Sequence, residues 1–150
     1  MPRHYKGKIN TGKVKRARKK MNIKNLYRAG GYVRKLVRNS IKAQRKTKKK
    51  SKITGEQITK KEQKASPPGT PPFTHGEKKP LKNSIAFDVS RGQTSVIIGP
   101  RFDIVGDSAK AHEFGGEFRN KKYPKRPFMG PALKRALPKI PKFWANSLQA

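Results

Sequence analysis

The clearest repeat of apolar positions begins at Ile23 and recurs every three or four residues. That spacing places side chains on one face of an α-helix, and Asn22 stands where an N-cap is expected. The positions that share the face are Ile23, Leu26, Tyr27, Gly30, Val33, Val37, Ile41 and Gln44. The pattern therefore predicts a long amphipathic helix. Gly30 and Gly31 each cost a helix roughly 1 kcal/mol, which indicates a close contact or a bend there.

A period of two appears between residues 81 and 99, which is typical of half-buried strands. The positions that share one face of the first run are Leu81, Asn83, Ile85, Phe87 and Val89. Residues 94–99 (TSVIIG) form a second, more apolar run, and Arg91, Gly92 and Gln93 supply a turn between the two. The segment predicts an antiparallel β-hairpin.

The last apolar pattern steps by four, three, four and four residues through Leu133, Leu137, Ile140, Trp144 and Leu148. Pro131 is predicted at the first helical position, where its missing N–H costs nothing. Pro138 and Pro141 interrupt the pattern, so we expect a kinked helix or two short helices on one face. A long amphipathic helix, a small antiparallel sheet and a kinked C-terminal helix make an α+β domain.

The remaining segments define the domain organisation. Residues 1–22 have clustered charge without periodicity, so we expect an extended basic arm in front of a small domain over residues 23–150. A connector at 65–80 includes SPPGTPPFTHG, in which four prolines and two glycines exclude regular structure. We expect a loop at 101–110, a short strand at 111–114 and irregular chain at 117–127.

The charge is strongly positive, because 39 Lys and Arg stand against 8 Asp and Glu, giving a net charge of +31. Residues 1–64 hold 24 of the cations. Such an excess indicates a polyanionic partner, which is a nucleic acid, an anionic membrane or an acidic protein surface. Only 32% of residues are hydrophobic, so the core is small. The residues expected to contact the partner are Arg3, Lys6, Lys8, Lys13, Lys15, Arg16, Arg18, Lys19, Lys20, Lys48, Lys49 and Lys50.

The residues of the chain match no catalytic or metal-binding pattern. The chain has no Cys, and the spacing of His4, His75 and His112 fits no zinc site. The acidic residues are too scattered for a nuclease metal cluster, and structural hydrogen bonding is the simplest interpretation of the adjacent His112 and Glu113. We therefore expect no enzyme, no cofactor and no metal. The chain also lacks an apolar run long enough to cross a membrane, so no membrane partner is expected.

Five segments of the second half stand in a characteristic order: residues 66–76, LKNSI at 81–85, VIIGP at 96–100, HEFGG at 112–116 and RPFMGPAL at 126–133. Together they resemble the neck and tail-completion proteins of tailed phages, the virion morphogenesis family. The residues that carry the resemblance are Gly99, Glu113, Phe114, Gly115, Gly116, Arg126, Pro127, Phe128 and Pro131. We expect Phe114, Phe128 and Trp144 to fill the core, and Gly115 and Gly116 to allow a tight turn.

The resemblance implies a structural subunit of the virion, assembled in the host cytoplasm into a hexameric ring at the head–tail junction. Its partners would be other copies of the chain, the connector or stopper, the tail terminator or tube, and packaged DNA. The alternative is a ribosomal or other RNA-binding structural protein, which the size, the charge and tyrosines among the basic residues also suit. An enzyme acting on nucleic acid is a third alternative, for which no catalytic set is present.

Overall fold

The structure, a computed structural model, describes residues 11–43, 65–74 and 78–145 of the chain. Its elements are α1 (Thr11–Ser40), α2 (Pro80–Ser84), β1 (Ile85–Val89), β2 (Val96–Pro100), α3 (Phe102–Val105), α4 (Ser108–Phe114), β3 (Gly116–Phe118), β4 (Lys121–Tyr123), α5 (Met129–Ala136) and a 3₁₀ helix (Ile140–Phe143). The predicted α+β class is confirmed, with a long first helix, a β-hairpin and short helical elements at the end.

Helix α1 begins at Thr11, so the prediction of an extended chain up to Asn22 is wrong for residues 11–22. Residues 1–10 of the expected arm lie outside the described residues. The segment is helical without an apolar period because Lys, Arg and Ala are good helix formers even when they are exposed. From residue 26 onward the predicted face is confirmed at Leu26, Gly30, Val33, Val37 and Ile41, which are buried, and Asn25 and Ala29 are buried beside them. Tyr27, expected in the core, is half exposed and contacts the Phe87 ring edge-on.

Strands β1 and β2 pair in antiparallel fashion, with Ile85 opposite Pro100 and Val89 opposite Val96. This confirms the predicted hairpin, but β2 begins at Val96 and not at Thr94, so the connection spans residues 90–95. The first strand is shorter than predicted because residues 80–84 form the helical turn α2, in which Pro80 is the first residue. Proline is tolerated there because the first N–H of a helix has no partner within the helix.

Helix α1 packs on the hairpin at Gly30. A Cβ atom at Gly30 would lie 2.5 Å from Phe87 Cδ2 and 2.8 Å from Val96 Cγ2, whereas a Cβ atom at Gly31 would lie 3.9 Å from the Phe87 ring. The first two distances are too short for carbon atoms, and the third is an ordinary contact. The close contact that the paired glycines indicated is therefore at Gly30 alone.

Alanine at these two glycines is expected to have opposite effects. Gly30→Ala should destabilise the chain by about 1–3 kcal/mol, because the methyl group must displace Phe87 and Val96. Gly31→Ala should be neutral or stabilise by up to about 1 kcal/mol through the helix propensity of alanine. Urea unfolding followed by far-UV circular dichroism measures both. Equal shifts of the two midpoints would contradict this packing.

The core lies between α1, the first hairpin and α5. Its buried members are Val33, Val37, Ile41, Leu81, Ile85, Ala109, Phe128, Ala132 and Ala136. Among the described residues Phe128 is the largest fully buried side chain, at 0% exposure, which confirms its predicted place. The same prediction is wrong for Phe114, which is 70% exposed at the end of α4, and Trp144 is partly buried.

The segment between the first hairpin and α5 differs most from the prediction. Residues 101–110 contain α3 and the start of α4, and residues 111–114 end α4 instead of forming a strand. Residues 117–127, expected to be irregular, include most of a second antiparallel hairpin, β3–β4. Arg119 and Asn120 in its turn both adopt positive φ, as the central residues of a type I′ turn do. Neither residue is glycine, so the usual sequence signal for that turn is missing.

Residues 129–143 follow the prediction of two short helices, since Leu137, Pro138 and Lys139 separate α5 from the 3₁₀ helix. The predicted apolar positions Leu133 and Leu137 are exposed, however, and the buried residues of α5 are Ala132 and Ala136. Pro131 is the third residue of α5 and not the first, because the helix begins at Met129.

Candidate partner-binding site

The predicted partner-binding residues of the described chain lie together on the first part of α1. We call residues 11–20 the basic segment; all ten are exposed. Its cations are Lys13, Lys15, Arg16, Arg18, Lys19 and Lys20. Over residues 11–40 the helix holds eleven Lys and Arg and no Asp or Glu. The other predicted contact residues, Arg3, Lys6, Lys8, Lys48, Lys49 and Lys50, lie outside the described residues.

Asn22 fixes the point where the basic segment meets the rest of the protein. Its Nδ2 atom donates a hydrogen bond of 3.0 Å to the carbonyl oxygen of Gln93, in the turn of the first hairpin. Its Oδ1 atom accepts a hydrogen bond of 3.0 Å from Nε1 of Trp144. Asn22 is therefore an anchor inside the helix, where the sequence predicted an N-cap.

The face of α1 that packs on the protein changes at Asn22 from apolar residues to basic residues. Leu26 and Val33 are buried on this face. Residues three or four positions apart share a helix face, so the same face continues toward the N-terminus through Asn22, Lys19 and Lys15. Burying unpaired ammonium groups in a core is strongly unfavourable. This explains why the basic segment lies outside the core while the rest of the helix packs.

A cleft of about 690 Å³ lies at the junction between the basic segment and the protein body. Lys15, Arg18 and Lys19 line one side, and residues 92–94 and Trp144 line the other. Cations neutralise phosphates, and an aromatic ring can stack on a base. The cleft thus combines the two kinds of group that bind nucleic acids.

A second cluster of predicted residues surrounds the start of α5. Glu113 accepts hydrogen bonds at its Oε2 atom from the backbone N–H groups of Phe128 and Met129, at 2.7 and 2.9 Å, and at Oε1 from Gly130, at 2.9 Å. Phe128 provides no side-chain cap to the helix. The first four N–H groups at the start of a helix, counted from the N-cap, lack partners within the helix. Here they belong to Phe128, Met129, Gly130 and Pro131, and proline has no N–H to donate. One carboxylate therefore satisfies the whole first turn.

Neighbouring contacts join three of the motif segments at this point. Arg126 is buried; its Nε atom donates to the carbonyl oxygen of Ser66 at 2.7 Å, and its backbone N–H donates to that of His112 at 2.6 Å. Gly130 lets the carboxylate approach, since a Cβ atom there would lie 3.3 Å from Glu113 Oε1. We call this arrangement, with Glu113 and Arg126 at its centre, the motif junction.

The glycines of the HEFGG motif have the predicted role. Gly115 and Gly116 have φ values of +78° and +122°, so they turn the chain from α4 into β3. A Cβ atom at Gly115 would also lie 3.3 Å from the backbone nitrogen of Lys125, close to the motif junction. Pro127 is partly buried beside Phe128. Gly99 lies apart from these residues, in β2 opposite Ala86.

The interpretation of the His112 and Glu113 pair as structural is confirmed for Glu113 by its three hydrogen bonds. His112 packs edge-on against Tyr123, with 5.6 Å between ring centroids. Sequence reasoning missed that Glu113 caps a helix fifteen residues away. The available signal was that no Ser, Thr, Asp or Asn precedes α5, so another group had to accept its first N–H groups.

The remaining features of the described residues are an exposed ion pair and the arrangement of possible metal ligands. Arg101 and Asp103 form an exposed ion pair with an N–O distance of 2.6 Å, and the hydrogen bond from Arg101 lowers the pKa of the Asp103 carboxyl. Exposed pairs of this kind contribute little to stability. Within residues 11–43, 65–74 and 78–145, His, Asp and Glu side chains form no group of three or more that could hold a metal ion.

No helix in the described part of the chain is both long and apolar enough to cross a membrane. Comparison with known proteins gives no match to this chain among protein-family models, curated proteins or solved structures.

Proposed function

We propose that this chain is a non-enzymatic structural protein of the phage head–tail junction, forming a ring that joins the connector to the tail. The observation that carries the proposal is the motif junction. Three segments that resemble neck proteins, at 66–76, 112–116 and 126–133, are far apart in sequence but share hydrogen bonds in the fold. The resemblance thus rests on residues that act as one structural unit.

The surface supports assembly with further copies or with other neck and tail proteins. Phe102 is 71% exposed and Phe114 is 70% exposed. Within the described residues, β1 and β2 have only each other as neighbours, so each has an outer edge without a strand partner. Exposed apolar side chains and open strand edges are the features through which subunits associate. The basic segment would face an acidic neighbour or packaged DNA.

The charge sets a condition for assembly. Copies with a net charge of +31 each repel one another unless salt or an acidic neighbour reduces the repulsion. The ring is therefore expected to be most stable at high ionic strength or in the assembled particle.

Native mass spectrometry of the full chain, transferred from a series of ammonium acetate concentrations, tests the ring. We expect a closed oligomer, with six copies implied by the resemblance, whose population rises with salt. Phe102→Glu should reduce assembly at least about tenfold, because it places a charge in an apolar interface. Ala65→Glu adds the same charge at an exposed position and should leave the oligomer intact. A monomer at every salt concentration, together with absence from purified phage particles, would contradict the proposal.

The second candidate is an RNA-binding structural protein. The observation that favours it is the first helix, where eleven cations and no acidic residue stand in thirty positions. This function predicts co-sedimentation with ribosomes and RNA binding that weakens steeply with salt, without a closed ring. The ring measurement and a ribosome sedimentation experiment therefore separate the two functions.

A further inference from the structure

We infer that the basic segment binds duplex DNA by lying in its major groove, with cations on opposite sides of the helix contacting the two flanking phosphate backbones. This names the partner of the basic segment, which the proposed function leaves open between an acidic protein and DNA. The inference does not rest on the ring, since a helix of this kind would bind DNA in any assembly.

The dimensions of the segment fit the groove. An α-helix with its side chains is about 10–12 Å across, and ten residues span about 15 Å. The major groove of B-form DNA is about 12 Å wide. All ten residues of the basic segment are exposed, so their side chains are accessible to a ligand.

The distribution of charge around the helix favours a groove over a flat surface. Residues two positions apart point in directions about 200° apart around an α-helix. Arg16 and Arg18 therefore face nearly opposite sides, and so do Arg18 and Lys20. The walls of the major groove present phosphates on both sides of a bound helix. A flat acidic protein surface would meet only one side and leave the other cations in solvent.

The hydrogen bonds of Asn22 hold the segment in position. They tie the end of the segment to the turn of the first hairpin and to Trp144. The exposed Arg91 and Thr94 belong to the same turn, which lies across the cleft from Lys15 and Lys19. A duplex that holds the segment in its groove would therefore bring a flanking phosphate backbone toward this turn. The helix and the turn together form a two-part DNA contact.

Duplex RNA offers no equivalent site. Its A-form major groove is deep and narrow, so an α-helix does not enter it. The inference therefore predicts a preference for duplex DNA over duplex RNA of the same sequence. It also predicts that DNA binds more tightly than poly-glutamate, which presents a similar charge without a groove.

Two variants with equal loss of charge test the binding site in the full chain. In the first, Lys15, Arg16, Arg18, Lys19 and Lys20 are replaced by Gln, which keeps helix propensity. In the control, Gln replaces five exposed cations of other elements, namely Arg119, Lys121, Lys122, Lys134 and Arg135. Fluorescence anisotropy with a short DNA duplex over a salt series measures the affinity.

The first variant should bind DNA at least about 100-fold more weakly near physiological salt, and its plot of log K against log salt should be shallower by about four to five. The control should stay within about fivefold of the unmodified chain, because its cations act only at long range. Equal losses in the two variants would overturn the inference. So would duplex RNA or poly-glutamate binding as tightly as duplex DNA.

A footprint on the unmodified chain tests the groove itself and does not depend on any variant folding. Dimethyl sulfate methylates guanine N7 in the major groove and adenine N3 in the minor groove. We expect protection of N7 with N3 left reactive, and protection of N3 alone would overturn the inference. Native mass spectrometry of the first variant keeps the two proposals apart. Intact rings without any loss of DNA affinity would overturn this inference and leave the proposed function standing.

Discussion

Phe128→Ala is expected to lower the free energy of unfolding by about 3–5 kcal/mol. Phe128 is wholly buried between α1 and α5 and is the largest side chain of the core. The same core cluster contains Ala109, Ala132 and Ala136, whose side chains are too short to fill the space that the ring would leave. The cost therefore combines the lost burial of the ring with the cavity that remains.

This loss is large for such a chain. Only 32% of its residues are hydrophobic, and small domains are typically stable by about 5–15 kcal/mol. Guanidinium unfolding measured by the fluorescence of Trp144, the only tryptophan, gives the difference. Phe114→Ala is the matched control, because the same ring is 70% exposed there and its removal should change stability by less than about 0.5 kcal/mol. Similar losses in the two variants would mean that the core is not built around Phe128.

Glu113→Ala is expected to destabilise the chain by roughly 1.5–3 kcal/mol, because three backbone N–H groups lose a charged acceptor. Glu113→Gln should fall between alanine and the unmodified chain. The glutamine amide has one accepting oxygen, so its nitrogen would face either Gly130 or the pair Phe128 and Met129.

Glu117→Ala is the control for charge. Glu117 is exposed in β3, and its loss changes the net charge by the same amount as the loss of Glu113. Chemical unfolding of the three variants separates hydrogen bonding from overall charge. If Glu117→Ala and Glu113→Ala lower the midpoint equally, the carboxylate of Glu113 does not stabilise α5.

The sequence predicts those parts of the fold in which local pattern and burial agree. The face of α1 that contains Leu26, Val33 and Val37 packs as its period predicts. The first hairpin follows its alternation and its glycine turn. The start of α1 could not be placed, because residues 11–22 are helical by propensity and by the contacts of Asn22, not by apolar period. The short helix α4 was not predicted, because its large apolar residue, Phe114, is exposed and does not mark the face on which the helix packs.

The candidate sites also divide into a part that the sequence predicts and a part that only the fold reveals. The cations at 13–20 were found from composition, which needs no knowledge of the fold. The cap on α5 and the anchor at Asn22 each join residues that are distant in sequence. A single amino-acid sequence does not indicate which distant groups form hydrogen bonds with each other. In the case of Asn22, the hydrogen-bond partners are Gln93 and Trp144. Polar residues of this kind are recognised only when the elements around them have been placed.

The absence of acidic residues from α1 would link the heat stability of the protein to the concentration of the polyanion proposed to bind it. Lys13 stands near the positive end of the helix dipole, and the pairs Lys15–Lys19 and Arg16–Lys20 place like charges one turn apart, so each weakens the isolated helix. A bound polyanion relieves these repulsions, and any ligand that prefers the folded state raises the melting temperature as its concentration rises. On the proposed function, the free chain would therefore be the least stable form of this protein, and the melting temperature would serve as a titration of the complex.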